Sequence, residues 1–219
     1  MHDREKMRKE LSRGAFQYGI DLNDATLTLF EIYYDIILDW NNRMNLVSKR
    51  DLHRFVAYHL LDSLKVASCF DMSIVDRMLD FGSGAGLPGI PLSLSFPHIE
   101  TFFVDSRKKK CIFLENAVGL LSIKANVLCS RIESLPDNYD GFFDLVVTRA
   151  TVKLDNFFIL ANRFIHVGGS LVAIKGDTIQ DEYERLQKIS DPEVFNIKLT
   201  VPKDVLNVRQ GNIVVIMRT

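Results

Sequence analysis

The stretch LDFGSGAGLPG, residues 79–89, decides how this chain folds. It places four glycines directly behind an apolar run that has the pattern of a buried strand. Glycine tolerates positive φ angles and lets another group approach the backbone closely. In open α/β sheets, ligands bind at the carboxyl ends of the strands, beside such turns. The stretch therefore predicts a ligand-binding loop in an α/β sheet.

After residue 73, short apolar runs alternate with helical patterns. Strand candidates lie at 75–81, 100–105, 125–129, 142–148 and 169–175. Unbroken apolar strands between helices are typical of a parallel sheet covered on both faces. Two later candidates, 196–202 and 212–218, have a loop between them and predict an antiparallel edge pair. We therefore predict a doubly wound, seven-stranded, Rossmann-like α/β sheet over residues 73–219.

Residues 1–72 have helical periodicity and predict an N-terminal helical module. One helix, capped by Asn23 or Asp24, is expected to bury one apolar face. That face comprises Leu29, Ile32, Tyr33, Ile36, Ile37 and Trp40. Ser48 and Asp51 have the spacing of a capping box for a second helix over 51–70.

The composition is that of a soluble globular protein, with 219 residues, 47% hydrophobic and 25% charged. No apolar run is long enough for a membrane span, and the charged start MHDREKMRKEL does not have the form of a secretory signal. We therefore expect a cytoplasmic protein. The net charge of −1 gives no hint of a nucleic-acid partner, so such a hint must come from local patches.

Cys69, Cys111 and Cys129 are widely spaced and form no CxxC pair, and the five histidines are scattered. This pattern argues against disulfides and against a metal site. Cys129 lies inside a predicted strand and is expected to be a buried thiol rather than a nucleophile.

Gly82, Gly84 and Gly86 have GxGxG spacing, and Leu87 stands where a dinucleotide fingerprint needs Gly or Ala. GxGxG is the loop that seven-stranded methyltransferases use for S-adenosylmethionine. Asp105 ends the second strand, where a carboxylate accepts hydrogen bonds from both ribose hydroxyls and leaves no room for a 2′-phosphate. Ser106 can cap the next helix, which would leave Asp105 free for this ligand. An NAD-dependent oxidoreductase is a distant alternative.

Four cations, Arg107 to Lys110, follow Asp105 in the first turn of a helix, where positive charge opposes the helix dipole. Arg131, Arg149 and Lys175 each follow another predicted strand. Charge runs usually form a solvated surface. At the carboxyl edge of one sheet, however, these cations together indicate phosphate recognition.

The sequence after the fourth strand, Thr148-Arg149-Ala150, lacks the (N/D)PP(Y/F) motif of enzymes that methylate exocyclic amines. No carboxylate–histidine arrangement indicates a dedicated base. The chain therefore suits an acceptor whose lone pair is already available, such as guanine N7, and would act by aligning two reactants. A methyltransferase on a small molecule or protein, and an RNA-binding nucleotide sensor without turnover, remain alternatives.

The ordered strings LDFGSGAGLPGIPLS, VDSRKKKCIFL, SRIESLP, FDLVVTRA and GGSLVAIKG resemble the glucose-inhibited division protein B (RsmG) family, as do WNNRMNLVS and HLLDSL upstream. The resemblance spans about residues 30–218. It implies a class I methyltransferase that transfers a methyl group from S-adenosylmethionine to guanine N7 in 16S ribosomal RNA of the small subunit. We expect no membrane partner, and nothing in the sequence requires more than a monomer.

The resemblance also implies roles for individual residues. Donor contacts are expected at Gly82, Leu87, Ile132, Glu133 and Arg149, with Ile132 and Glu133 beside the adenine. Lys109 and Lys175 match cations near the RNA. The sequence departs from the family pattern at Arg209, which RQGNIVVIMR separates from its strand by more than the usual spacing. For His59, packing between helices is the first expectation and contact with substrate the second.

Overall fold

In the computed structural model, residues 2–149, 152–176, 179–201 and 211–219 are described. The sheet has seven strands in the order β3-β2-β1-β4-β5-β7-β6. Their bounds are β1 Arg77–Phe81, β2 Glu100–Val104, β3 Ala125–Leu128, β4 Phe143–Arg149, β5 Ile165–Lys175, β6 Phe195–Thr200 and β7 Asn212–Arg218. Strands β1 to β5 are parallel, and β7 runs antiparallel to both β5 and β6. The predicted doubly wound sheet with an antiparallel edge pair is confirmed.

Eight α-helices surround the sheet in the described part of the chain. They are α1 His2–Phe16, α2 Asp24–Asn41, α3 Lys49–Leu52, α4 Asp62–Leu64, α5 Gly89–Ser95, α6 Lys108–Leu121, α7 Leu154–Ala161 and α8 Gln180–Ile189. Among these, no helix is both long and apolar enough to cross a bilayer.

Buried side chains alternate between the two faces of the sheet because successive residues of a strand point in opposite directions. On β1, Met78 joins the core beneath α1, α2, α5 and α6, whereas Leu79 and Phe81 join the core beneath α7 and α8. The N-terminal helices thus share one continuous core with the sheet. The division into an N-terminal module, residues 1–72, and a sheet domain, residues 73–219, remains a prediction.

Helix α2 begins as predicted, since the Asn23 side chain accepts a hydrogen bond of 2.9 Å from the Thr26 N–H. Its buried face is rotated from the predicted one. Leu27 and Phe30 are buried, whereas Ile32 is 37% exposed. Tyr33 belongs to both the predicted and the observed face; it is fully buried and contacts the glycine loop described below.

The predicted single helix over 51–70 is wrong. The segment is divided into α3, a π-helical segment Val56–Leu61, α4 and a 3₁₀ turn Lys65–Ser68. Nor does the capping box form, because Ser48 donates to the Asp51 carboxylate instead of capping a backbone N–H. Wider π-type turns often accompany functional sites.

Cys129 was predicted to be buried, and this is also wrong. Strand β3 ends at Leu128 and lies at the edge of the sheet, so Cys129 is exposed. All three cysteines are unpaired. In the same described ranges, no group of three or more His, Cys, Asp or Glu side chains could hold a metal ion.

Candidate functional site

The glycine loop leaves β1 at the point where the order of the sheet reverses, between β1 and its neighbours β2 and β4. Gly82, Gly84 and Gly86 have φ angles of +71°, +55° and +81°, which side chains rarely tolerate. The N–H groups of Gly82 and Ser83 both donate to the Val104 carbonyl, at 2.9 and 3.1 Å. The loop is therefore hydrogen-bonded to the end of β2, and its glycines present backbone without side chains.

Asp105 follows β2 directly and is 3% exposed. Its Oδ2 accepts a hydrogen bond of 3.0 Å from the Gly84 N–H, and its Oδ1 accepts one of 2.9 Å from the Arg107 N–H. The Arg107 guanidinium adds contacts of 3.2 and 3.3 Å to the two oxygens. The prediction that Asp105 is free is therefore wrong: its carboxylate holds the loop and the start of α6 together. Ser106 does not cap α6, whose N-cap position is Arg107.

Asp80 is the second carboxylate of the loop region and is fully buried at the end of β1. Its Oδ2 accepts a hydrogen bond of 2.9 Å from the N–H of Gly89, the first residue of α5. A Cβ at position 89 would lie 2.5 Å from that oxygen, so glycine is required for this contact. Burial raises the pKa of Asp80 to about 7, despite the Gly89 bond.

Sequence reasoning missed the support that α2 gives to the loop. The Tyr33 hydroxyl donates a hydrogen bond of 2.7 Å to the Ala85 carbonyl, across 52 positions of the chain. The sequence predicts Tyr33 on the buried face of α2 but does not identify its partner. The signal for a contact is the hydroxyl itself, because a buried tyrosine hydroxyl usually has a hydrogen-bond partner. The N-terminal helices thus help to shape the glycine loop.

Arg149 ends β4, next to the strand that carries the loop. Its Nε lies 2.9 Å from Oδ2 of Asp62, and its terminal nitrogens contact Nδ1 of His59 at 2.9 Å and the Tyr58 carbonyl at 2.8 Å. The side chain is 19% exposed. Arg149 therefore joins the edge of the sheet to the segment 58–62.

His59 is buried, in agreement with the packing role expected first. Its ring packs against Phe55, with the ring centroids 5.3 Å apart and the ring planes tilted by 50°. Burial, together with the positive charge of Arg149, lowers the pKa of His59 to about 4. Arg209 lies outside the described residues.

The remaining predicted donor residues lie around the same edge. Leu87 is 8% exposed and continues the loop into the start of α5. Ile132 and Glu133 form a 3₁₀ turn after β3, in which Ile132 is buried and Glu133 is exposed. Arg131 precedes this turn and is exposed.

The predicted cationic residues separate into exposed and buried groups. Lys108 and Lys109 are exposed at the start of α6. Lys110 is 8% exposed and donates a hydrogen bond of 3.0 Å to the Asn45 carbonyl, so it is not part of an exposed cluster. Lys175 is also buried. It lies 2.9 Å from Glu182 of α8 and donates to the Val152 carbonyl. An anion could contact Lys175 only if that ion pair opened.

Solved structures with the same fold are distant in sequence. An O-methyltransferase from Bacillus cereus in complex with SAH has a TM-score of 0.59 and 13% identity, over 85% of this chain and 91% of that one. A SAM-dependent O-methyltransferase from Thermotoga maritima has a TM-score of 0.54 and 15% identity, over 85% and 71%. They support the class I methyltransferase fold.

Curated relatives are much closer. Ribosomal RNA small subunit methyltransferase G of Thermoanaerobacter sp. (strain X514) is 34% identical over 84% of this chain and 78% of its own length. The protein of the same description from Bacillus subtilis (strain 168) is 31% identical over 80% and 74%. Residues 26–204 match the family model GidB, described as rRNA small subunit methyltransferase G. The chain belongs to the rRNA small subunit methyltransferase G family.

Proposed function

We propose that this chain transfers a methyl group from S-adenosylmethionine to N7 of a guanine in 16S ribosomal RNA. One observation carries the proposal: the GxGxG loop is bonded to the Asp105 carboxylate at the switch point of the sheet, in a chain whose residues 26–204 match the family. Bare glycine backbone beside a buried carboxylate suits the amino-acid part and the ribose of the donor.

The residues that would hold the donor all lie at or just beyond this edge of the sheet. They are Gly82, Gly84, Gly86, Leu87, Asp105, Ile132, Glu133 and Arg149. When bound, S-adenosylmethionine supplies a methyl group on a positively charged sulfur. Asp105 would accept hydrogen bonds from the ribose hydroxyls in place of those from the Arg107 guanidinium, which is 67% exposed and therefore able to swing away. Ile132 offers an apolar contact for the adenine.

Guanine N7 carries a lone pair and no proton, so its methylation requires no base to activate it. We therefore assign no catalytic acid or base. The work of the chain is to hold the acceptor nitrogen in line with the methyl group, and alignment of two reactants supplies a large part of such a rate enhancement. The loop and Arg149 are suited to this task because hydrogen bonds fix their positions.

For the RNA we propose contacts with Lys109, Arg131 and Lys175. Lys109 and Arg131 are exposed on two turns that follow neighbouring strands, β2 and β3, which suits contacts with the phosphate backbone. Lys175 would contribute after release from Glu182. We propose that the substrate is the small ribosomal subunit or its RNA, and that the protein acts in the cytoplasm as a monomer.

The test is transfer of labelled methyl groups from S-adenosylmethionine to small ribosomal subunits that lack this modification, followed by chemical cleavage at 7-methylguanine. We expect one cleavage site in 16S RNA. Free 16S RNA is assayed in parallel to identify the substrate form. Donor binding without any labelled RNA in either assay would refute the proposal and favour a small-molecule substrate or a sensing role.

A further inference from the structure

Arg149 is fixed by one short segment that lies 87 or more positions earlier in the chain. Its Nε and two terminal nitrogens contact Asp62, His59 and the Tyr58 carbonyl, at 2.9, 2.9 and 2.8 Å. A guanidinium presents its N–H groups in a rigid planar fork. Three contacts in three directions therefore define both its place and its orientation.

Asp62 is itself anchored, so it can act as a fixed point. Its second oxygen, Oδ1, lies 2.5 Å from the Lys65 ammonium. Lys65 is fully buried and donates a second hydrogen bond of 2.8 Å to the Gly211 carbonyl, just before β7. The Asp62 carboxylate, 14% exposed, thus lies between two cations: Arg149 at the end of β4 and Lys65 at the start of the 3₁₀ turn after α4.

His59 supports the same arrangement as a neutral acceptor. Because a guanidinium can only donate, Nδ1 of His59 must be unprotonated in this contact. Asp62 is consequently the negatively charged partner of Arg149 within the segment 58–62. Hydrogen bonds between two charged groups are stronger than those to neutral acceptors, so Asp62 is the dominant contact of the three.

We propose that Asp62 is a positioning residue of the methyltransferase site, holding the Arg149 guanidinium at the β1/β4 edge for donor binding. The N-terminal helical segment is then part of the site rather than an attachment to it. The inference rests on the donor-binding role proposed above for Arg149. The competing explanation is that Asp62 merely joins the N-terminal segment to the sheet.

A double-mutant cycle separates the two explanations. Asp62→Asn, Arg149→Gln and the double variant are titrated with S-adenosylhomocysteine by calorimetry, and their melting temperatures are recorded. We expect Asp62→Asn to weaken binding about tenfold or more, as expected for the loss of a bond between charged groups. In the Arg149→Gln background the same change should have little effect, because residues that act through one contact are not additive.

The matched control is Asp155→Asn. Asp155 of α7 makes the same kind of pair, with its Oδ2 3.1 Å from Nε of Arg185, and is similarly half-buried at 21%. We expect its loss to leave the affinity unchanged. If Asp62→Asn does not fold, the cycle is run with His59→Leu, which removes a second Arg149 contact without leaving a buried charge unpaired. We then expect a smaller loss that likewise disappears in the Arg149→Gln background.

The outcomes distinguish failure of the inference from failure of the proposed function. Additive losses in the cycle, or an affinity that Asp62→Asn leaves unchanged, would overturn the positioning role while Arg149→Gln still weakens binding. An unchanged affinity in Arg149→Gln would instead remove Arg149 from the donor site, and the inference with it. A wild-type protein that binds no S-adenosylhomocysteine would contradict the proposed function itself.

Discussion

The N–H of Gly84 donates a hydrogen bond of 3.0 Å to Oδ2 of Asp105, and this bond joins the loop after β1 to the end of β2. The two residues are 21 positions apart: Gly84 lies three positions after the end of β1, and Asp105 directly follows β2. The carboxylate that is proposed to bind the ribose therefore also fixes the loop that is proposed to contact the donor. Changes to either residue should affect both the shape of the site and its affinity.

Asp105→Asn should weaken the binding of S-adenosylhomocysteine by roughly 10- to 100-fold, because a hydrogen bond to a charged group is worth about 1.5–3 kcal/mol. Titration calorimetry measures the effect. Asp137→Asn is the control, since the Asp137 side chain is 99% exposed on a turn after β3. Unchanged affinity in Asp105→Asn would exclude Asp105 from the donor site.

Arg107→Ala should strengthen donor binding, because it removes a side chain that is bonded to the same Asp105 carboxylate. Its guanidinium occupies both oxygens of Asp105 but is 67% exposed. An exposed ion pair is worth about 0.2–1 kcal/mol, so its removal should tighten donor binding by no more than about fivefold. Weaker binding in this variant would mean that Arg107 contacts the donor instead of competing with it.

Tyr33→Phe should lower the free energy of unfolding by about 1–2 kcal/mol, because the Ala85 carbonyl loses a buried hydrogen bond of 2.7 Å. Tyr18→Phe is a matched control. The Tyr18 hydroxyl is also buried, but it has no hydrogen-bond partner among the described residues, so its removal should cost nothing. Denaturant unfolding of both variants provides the measurement, and equal losses would contradict this account of the loop.

Lys109→Glu should reduce affinity for small-subunit RNA and lower the slope of log affinity against log salt concentration by about one, if Lys109 contacts a phosphate. Binding is measured over a salt series. Donor affinity should not change. Lys188→Glu, at an exposed lysine of α8, controls for the change in net charge. An equal salt slope for both variants would show that Lys109 belongs to a solvated surface.

The stability of the protein should depend on pH through His166 and Asp144, which lie near the amino ends of β5 and β4, away from the proposed site. Their side chains are 2.8 Å apart. The hydrogen bond with Asp144 raises the pKa of His166. Burial alone would raise the pKa of Asp144, but hydrogen bonds from His166 and from the N–H groups of Arg77 and Asp76 lower it.

The sign of the effect follows from the two directions. The contribution of His166 is complete below its unfolded-state pKa of about 6.5 and is lost as pH rises through its raised folded value. That of Asp144 is present above about 3.9 and is lost as pH falls through its lowered folded value. His166→Gln should therefore lower the melting temperature most at about pH 5 and least at about pH 9. His53→Gln, at an exposed histidine, is the control.

Local patterns were sufficient for most of the sheet. The predicted strand at 212–218 agrees with β7 residue for residue, and the other strands agree within a few positions. The glycine spacing and the acid at position 105 also indicated that a loop and a carboxylate lie at the carboxyl ends of two strands, which is where the structure has them. These features depend on neighbours in the chain, since glycine conformation and the alternation of apolar residues are local properties.

The sequence by itself determined the α/β class, the glycine loop and the family resemblance. The tertiary structure decided which charged residues are available: Lys109 is exposed, whereas Arg149 and Lys175 are bonded to Asp62 and Glu182. Those partners lie 87 positions before Arg149 and 7 positions after Lys175, on elements that face them only when packed. An ion pair forms only where the fold brings two side chains together, and the separation of the two residues in the sequence does not predict this.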